Sequence, residues 1–206
     1  MLAWVLRPFG RIAFKLAFRV KVVGRENVPD AGGAILAGNH VSYMDPVLLW
    51  TYSPRWVHFM AKRELFHGFL GWALNHLYAF PVARDTADRA AIGAATEFLR
   101  EGELLGMFPE GTRAGAEGPA EAHGGAAFIA MRAGVPVVPV AFAGTERVLP
   151  RGQRFPRFVR VVVKIGTPID PQSVGDGPRK ERVQALTAEI MRRIAEELEE
   201  ARRLER

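Results

Sequence analysis

The chain contains no cysteine, and this absence removes several kinds of chemistry at once. Disulfide bonds, thiolate metal sites and a cysteine nucleophile are all excluded. Serine occurs at only three positions, Ser42, Ser53 and Ser173, and none lies in the G-x-S-x-G pattern that surrounds the nucleophile of α/β-hydrolases. A covalent intermediate on serine or cysteine is therefore not expected.

Metal and nucleotide motifs are absent as well. None of the five histidines lies in an H-E-x-x-H helix or another short-range ligand pattern, so a dedicated zinc site is not expected. The sequence has neither a Walker P-loop nor a dinucleotide-binding glycine fingerprint. We therefore predict no metal and no cofactor. The remaining chemistry is a base that deprotonates the hydroxyl of a substrate directly.

Long uncharged apolar runs are also missing. The N-terminal stretch is interrupted by Arg7, Arg11, Lys15 and Arg19, so it does not reach the roughly 18 apolar residues that a membrane span requires. These four cations are spaced four residues apart, which predicts that they share one helical face. A basic face beside Trp and Phe is typical of a helix that lies in the membrane interface, and we predict this for residues 1–20. The alternative is a helix that docks on the protein's own core with solvated charges.

The overall composition describes a globular, basic protein. A chain of 206 residues with 49% hydrophobic content fits one main domain, predicted at 21–206 after the N-terminal helix. A net charge of +6 and a pI near 10.1 indicate an anionic partner: nucleic acid, an acidic lipid surface or a phosphorylated substrate. Nucleic acid is not expected, because beyond the first helix the basic residues are not interleaved with aromatic ones. Nothing in the sequence indicates an oligomeric state.

Strand-like and helix-like segments alternate along the chain. This order predicts a single α/β domain with a largely parallel, mixed central sheet flanked by helices. An Ala-, Gly- and Glu-rich stretch at 114–125 is predicted to be a surface loop. The predicted strands lie at 18–24, 33–38, 57–61, 80–82, 104–108, 137–142 and 159–165. The predicted helices lie at 46–50, at 69–77, at 85–100, just before 137, and from about 178 to the C-terminus.

The first candidate site follows the second predicted strand. Asn39 and His40 come at its end, and Asp45 lies five residues beyond His40. If the chain turns between them, the carboxylate can accept the imidazole Nδ1–H and leave Nε2 free to take a proton. A purely structural role is equally compatible: Ser42 and Asp45 have capping-box spacing, and Asp45-Pro46 resembles an N-cap followed by proline at the first helical position.

The second candidate site follows another predicted strand, in the run 108–113 (Phe-Pro-Glu-Gly-Thr-Arg). Backbone amides freed by a turn, beside an arginine, suit a phosphate or another oxyanion. The alternative is a plain turn with solvated Glu110 and Arg113. Arg84 also follows a predicted strand, although a lone arginine there is more often a surface charge, and Lys62 is similarly ambiguous.

Taken together, these segments resemble the lysophosphatidic acid acyltransferase (PlsC-like glycerolipid acyltransferase) family. The family's N-H-x-x-x-x-D motif is matched by Asn39, His40 and Asp45, and its F-P-E-G-T-R motif by the whole run 108–113. Its second motif is matched by Pro81, Val82 and Arg84, although Tyr78 stands where the family usually has glycine. A proline-containing valine strand at 135–140 matches the fourth motif, and Lys62 is similar to a lysine often found between the first two.

The resemblance implies a function and a role for each matched residue. The expected reaction transfers a fatty acyl group from acyl-CoA or acyl carrier protein to the sn-2 hydroxyl of 1-acyl-glycerol-3-phosphate, forming phosphatidic acid. His40 is the implied general base and Asp45 its orienter, with Asn39 and Lys62 as supporting residues. The residues implied to bind the acceptor phosphate are Arg84, Glu110, Gly111, Thr112 and Arg113.

The expected location is peripheral or monotopic, on the cytoplasmic face of the cell membrane, with an anionic membrane surface and a lysophospholipid as partners. Two alternatives remain open. One is an acyltransferase of the same family with another lysolipid or a glycolipid as acceptor. The other is a peripheral membrane-binding protein that uses its basic face without catalysis.

Overall fold

The computed structural model describes residues 2–76, 78–82, 89–110, 124–148, 150 and 155–206. Its strands are β1 (Lys21–Val23), β2 (Ala34–Gly38), β3 (Val57–Lys62), β4 (Ala79–Val82), β5 (Leu104–Met107), β6 (Val137–Ala143) and β7 (Val162–Ile165). Its helices are α1 (Leu2–Phe18), α2 (Met44–Tyr52), α3 (Gly68–His76), α4 (Arg89–Arg100), α5 (Gly125–Ala133), α6 (Thr145–Val148) and α7 (Arg179–Glu205).

The seven strands form one sheet in the order β1-β7-β6-β2-β5-β3-β4. The five strands from β6 to β4 are parallel to one another, β7 is antiparallel to β6, and β1 is parallel to β7. The predicted α/β domain with a largely parallel, mixed sheet is confirmed. The five parallel strands end at the same side of the sheet, which we call the carboxyl edge, and this is where open α/β sheets place their ligands.

Helices cover both faces of the sheet. Along β2, Ala34 and Leu36 point into a core under α1 and α2, while Ile35 and Ala37 point into a core under α4, α5 and α7. Every residue of β2 and β6 is buried. This two-sided burial explains why both strands appear in the sequence as continuous apolar runs rather than as alternating patterns.

Most predicted elements lie within a few residues of their observed positions, with three differences. The strand predicted at 18–24 is shorter, because α1 continues to Phe18 and β1 comprises only Lys21–Val23. The helix predicted at 85–100 is described from Arg89 onward. Of the loop predicted at 114–125, residues 114–123 lie outside the described residues. Gly125 is the first residue of α5, so the predicted loop extends too far.

The first two cations of α1 face the protein, contrary to the prediction. Arg7 is buried, and its guanidinium donates hydrogen bonds to the carbonyl oxygens of Ser53 and Arg55. Nε of Arg11 donates to the carbonyl of Thr51 at 2.9 Å. These carbonyls lie at or just beyond the C-terminus of α2, where backbone acceptors lack helical partners and the helix dipole favours a cation. Burial lowers the pKa of Arg7 to about 10, so this side chain is charged at neutral pH.

The four-residue spacing explains the result. Residues advance by about 100° each around a helix, so a row of every fourth residue drifts by about 40° per step. The row starts against α2 at Arg7 and turns outward by Lys15, which is exposed. The opposite side of the helix bears an apolar face that is exposed to solvent; we call Leu6, Phe9, Ile12 and Leu16 the apolar face of α1. In the described part of the chain, no helix has both the length and the apolarity needed to cross a membrane.

Candidate active site

The site begins where β2 ends at the carboxyl edge. The buried side chain of Asn39 bridges to β6: its Nδ2 donates to the carbonyl of Phe142 at 3.1 Å, and its Oδ1 accepts the amide of Phe142 at 2.8 Å. These two bonds continue the β2–β6 pairing beyond the last paired residue, Gly38. Asn39 therefore fixes the point at which the chain leaves the sheet, directly before His40.

His40 and Asp45 are in contact. Nδ1 of His40 lies 3.1 Å from Oδ2 of Asp45, which also accepts the backbone amides of Val41 at 2.8 Å and Ser42 at 2.7 Å. Since both amides donate to it, Oδ2 is an acceptor, and the proton of this His–Asp contact resides on Nδ1. In a neutral imidazole with its proton on Nδ1, the other ring nitrogen, Nε2, is unprotonated and can accept a proton. Asp45 is fully buried, whereas the His40 side chain is 18% exposed.

The capping alternative is also partly realised. The helix begins at Met44, so Asp45 lies inside its first turn and Pro46 is the third helical residue, not the first. The N-cap prediction for Asp45 is therefore wrong in position. One of the two capping-box contacts does form, because the Asp45 carboxylate accepts the backbone amide of Ser42. Ser42 Oγ accepts the Met44 amide at 3.3 Å. One carboxylate thus holds the turn and the imidazole together.

The end of β5 supports His40 from the neighbouring strand. The ring of Phe108 stacks on the imidazole of His40, with centroids 4.2 Å apart. The carboxylate of Glu110 accepts the backbone N–H of His40 at 3.4 Å. Burial raises the pKa of the Glu110 carboxyl, and the hydrogen bond from His40 partly opposes this shift. Two residues of the motif at 108–113, Phe108 and Glu110, therefore contact His40.

Of the other predicted site residues, Lys62 lies within the described part of the chain and four lie outside it. Lys62 is the last residue of β3, and it pairs with Val82, the last residue of β4, so both strands end at the carboxyl edge. Arg84 follows Val82 by two residues and lies outside the described residues. The remaining predicted phosphate-binding residues also lie outside them: Gly111, Thr112 and Arg113.

Tyr78 departs from the family's glycine but keeps a glycine-like backbone. Its φ is +57°, in the left-handed region that non-glycine residues rarely occupy. The ring of Tyr78 packs against Trp56 and His58, with centroid distances of 5.2 Å and 5.5 Å. Glycine adopts such a φ at little cost, whereas a tyrosine is strained there, and these ring contacts stabilise it.

Two sets of contacts in the structure have no clear signal in the sequence. The contact from Glu110 to the His40 backbone joins residues 70 positions apart, and nothing local marks it. The docking of Arg7 and Arg11 depends on where α2 ends in space. Asn39 could have been singled out more firmly, since a polar residue directly after a fully buried strand must satisfy its amide within the fold.

Comparisons with known proteins show which family this chain resembles. A family model described as Acyltransferase matches residues 19–143. A 1-acyl-sn-glycerol-3-phosphate acyltransferase of Bacillus subtilis is 32% identical over 188 residues, which cover 90% of this chain and 92% of that protein. One from Streptococcus pneumoniae is 34% identical over 139 residues, 66% of this chain and 50% of that protein. The crystal structure of the 1-acyl-sn-glycerophosphate (LPA) acyltransferase PlsC from Thermotoga maritima matches with a TM-score of 0.74 and 29% identity, covering 94% of this chain and 78% of that one.

Proposed function

The chain belongs to the PlsC-like family of 1-acyl-sn-glycerol-3-phosphate acyltransferases, and we propose that it transfers a fatty acyl group from a thioester donor to the sn-2 hydroxyl of 1-acyl-glycerol-3-phosphate. The product is phosphatidic acid, and the donor is acyl-CoA or acyl carrier protein. The observation that carries the proposal is the contact between His40 and the buried carboxylate of Asp45 at the carboxyl edge. It supplies an oriented base on a side chain that is partly exposed to solvent.

The proposed transfer is direct. The acceptor hydroxyl oxygen bonds to the thioester carbonyl carbon while its proton moves to Nε2 of His40, and the C–S bond then breaks. The proton passes from the imidazolium to the departing thiolate, so the thiol leaves and His40 returns to its neutral form. Asp45 stabilises the imidazolium in between, because its oxygen faces Nδ1. No enzyme residue carries the acyl group.

We assign phosphate binding to residues that end or follow β3, β4 and β5 in the sequence. A glycerol hydroxyl is a poor nucleophile, so holding its phosphate fixes the reacting oxygen beside the base. We propose that Arg84 and Arg113 neutralise the phosphate and that the backbone of 111–112 donates to its oxygens, with Lys62 in support. Glu110 acts differently in this proposal: its carboxylate engages the His40 amide and so positions the base.

The proposed location is the cytoplasmic face of the cell membrane, with the protein bound peripherally or monotopically. The apolar face of α1 supports this, because Phe9, Ile12 and Leu16 are each more than 60% exposed and have no protein surface to cover them in the described structure. An exposed row of large apolar side chains on a basic helix fits the interfacial region of a bilayer.

A substrate panel tests the function. The purified protein is incubated with lysophosphatidic acid, lysophospholipids bearing larger head groups, and a glycolipid acceptor, each with acyl-CoA and with acyl carrier protein thioester. We expect mass spectrometry to show phosphatidic acid as the main product, because two arginines match the charge of a free phosphomonoester. Preferred acylation of another acceptor would replace the proposed substrate, and transfer to none of them would refute the proposed reaction.

Membrane binding by α1 is tested by removing its apolar face. Burial of a Phe, Ile or Leu side chain is worth about 1.5–3 kcal/mol, so the variant F9A/I12A/L16A should bind anionic vesicles at least about tenfold more weakly in sedimentation. Its thermal stability should be unchanged, since the three side chains are exposed. Deleting residues 1–20 is a poorer test, because that also removes Arg7 and the packed Phe18.

The matched control is Lys15→Ala on the same helix. It removes one exposed charge and no large apolar side chain, so it should weaken binding less than the triple variant and mainly at low salt. If the triple variant binds vesicles as well as the unchanged protein does, α1 is not the membrane contact.

A further inference from the structure

A second exposed aromatic segment lies beside α1. Phe155 and Phe158 are 82% and 79% exposed, the highest values among the large hydrophobic residues that the structure describes. Their backbone is nevertheless held in place, because the Arg157 amide donates to the carbonyl of Val148 at 2.7 Å and the Val161 amide donates to that of Phe18 at 3.0 Å. We call residues 155–160 the aromatic segment.

The aromatic segment adjoins α1. The ring of Phe158 stacks on Phe18 with centroids 6.3 Å apart, and Phe18 stacks in turn on Phe14 at 6.0 Å. Among the described residues, nine large hydrophobic side chains are exposed, and six belong to the apolar face of α1 or to the aromatic segment. Two adjoining elements therefore carry most of the large hydrophobic side chains that are exposed in the described structure.

Strand register places this region at the carboxyl edge. Lys21 in β1 pairs with Val162 in β7, and Val162 pairs with Ala143, the last residue of β6. The end of α1 and the aromatic segment immediately precede these paired residues. They therefore lie at the same edge of the sheet as His40.

The distribution of charge identifies the partner. The segments 1–25 and 147–169 contain 12 of the 28 Lys and Arg residues and no Asp or Glu. The rest of the chain, with 16 basic and 22 acidic residues, has a net charge of −6, so the entire positive excess lies in these two segments. Some of these cations are engaged within the protein, as Lys164 is with Glu197 and Glu200, but Lys15, Arg19, Arg157 and Arg160 are exposed.

We propose that the aromatic segment is a second membrane-insertion element, which enters an anionic bilayer together with the apolar face of α1. Phenylalanine rings flanked by arginines match an acidic lipid surface, where the rings bury apolar area and the cations meet headgroups. A second copy of the chain fits poorly, because a symmetric contact would oppose two surfaces of the same positive charge. Two insertion elements hold the carboxyl edge towards the bilayer; this consequence for catalysis rests on the lipid substrate proposed above.

The absence of cysteine permits a direct test with single-cysteine variants labelled with the environment-sensitive fluorophore NBD. Phe155→Cys and Phe158→Cys report on the segment, Leu16→Cys reports on α1, and Ala195→Cys is an exposed control on α7, which covers the other face of the sheet. We expect phosphatidylglycerol-containing vesicles to shift emission at 155, 158 and 16 to the blue, raise it several-fold and protect it from aqueous iodide. The emission of the label at 195 should not change. Pure phosphatidylcholine vesicles should change the emission at 155, 158 and 16 less than the anionic vesicles do.

The label reports position rather than turnover, which separates this proposal from the proposed function. Labels at 155 and 158 that stay in water while the label at 16 enters the bilayer would overturn the second element even if the protein is an active acyltransferase. Insertion at all three positions in a protein that acylates no lysolipid would support the surface and refute the proposed reaction. A shift at 155 and 158 that depends on protein concentration and needs no vesicles would identify a self-association surface instead.

Discussion

Replacing His40 with alanine is expected to reduce acyl transfer to lysophosphatidic acid by about 10²–10⁴-fold, the usual contribution of a general base. The loss should appear in kcat, because the proton is taken only as the hydroxyl attacks. Vesicle binding should be unchanged, since the exposed residues of α1 lie on a different element. His40→Gln should be as inactive as the alanine variant: it retains a polar group of similar length but cannot accept the hydroxyl proton at neutral pH.

A second half-buried histidine provides the matched control. His58 lies in β3 and stacks on Phe98 with centroids 4.5 Å apart, and it pairs with Leu105 in the first half of β5, away from the carboxyl edge. His58→Gln should keep transfer within a few-fold of the unchanged protein while lowering thermal stability. A His40→Ala variant that retains full activity, measured by mass spectrometry of the phosphatidic acid formed, would eliminate the proposed base.

The parts of the fold that could be predicted from sequence are those with a local cause. β2 and β5 are apolar runs because neighbouring strands and helices bury them from both sides, so their composition alone marks them. The predicted boundary between α1 and β1 is wrong because its cause is not local. The valine-rich alternation at 20–23 is a real strand signal, but only the hydrogen bond from Val161 to Phe18 shows where the sheet begins.

The orientation of α1 could not be predicted, because charge normally marks the solvent side of a helix. Arg7 inverts that expectation by binding the carbonyls of Ser53 and Arg55, and its guanidinium lies 4.4 Å from the centroid of Trp56. Those acceptors are more than 40 residues away in the chain. A sequence pattern gives the spacing of side chains around a helix, but which side meets the protein depends on what the rest of the fold presents.

The contacts of the site also divide into those with a local cause and those that depend on the whole fold. The pairing of His40 with Asp45 is a short-range contact, so spacing after a strand was enough to suggest it. The contact from Glu110 and the stacking by Phe108 required β2 and β5 to be neighbours, which their order in the sequence does not imply. At Tyr78 the sequence has a bulky residue where the family usually has glycine, and its backbone has the positive φ that favours glycine. Ring packing against Trp56 stabilises the tyrosine there.

The second large effect is expected for Asp45→Asn, which keeps the shape of the side chain and removes its charge. With the amide oxygen in the place of Oδ2, the backbone amides of Val41 and Ser42 keep their acceptor and the turn persists. The imidazolium formed during transfer then loses its counter-charge, so we expect kcat to fall by about 100-fold or more with little change in KM. The amide NH2 takes the position of Oδ1, which is buried and has no hydrogen-bond partner among the described residues, so stability should fall by about 1–3 kcal/mol.

Ser42→Ala is the matched control for the turn, because it removes a side-chain contact of the turn and leaves the contacts of the Asp45 carboxylate in place. Ser42 Oγ accepts the Met44 amide in the same turn, and no contact joins it to His40 in the described structure. Its loss should cost about 1 kcal/mol of stability, as removal of a helix cap does, and leave kcat nearly unchanged. If Asp45→Asn lowers kcat only as much as Ser42→Ala does at matched stability, the carboxylate is a cap and nothing more. A far larger loss in Asp45→Asn, with the turn retained, assigns it to the imidazole.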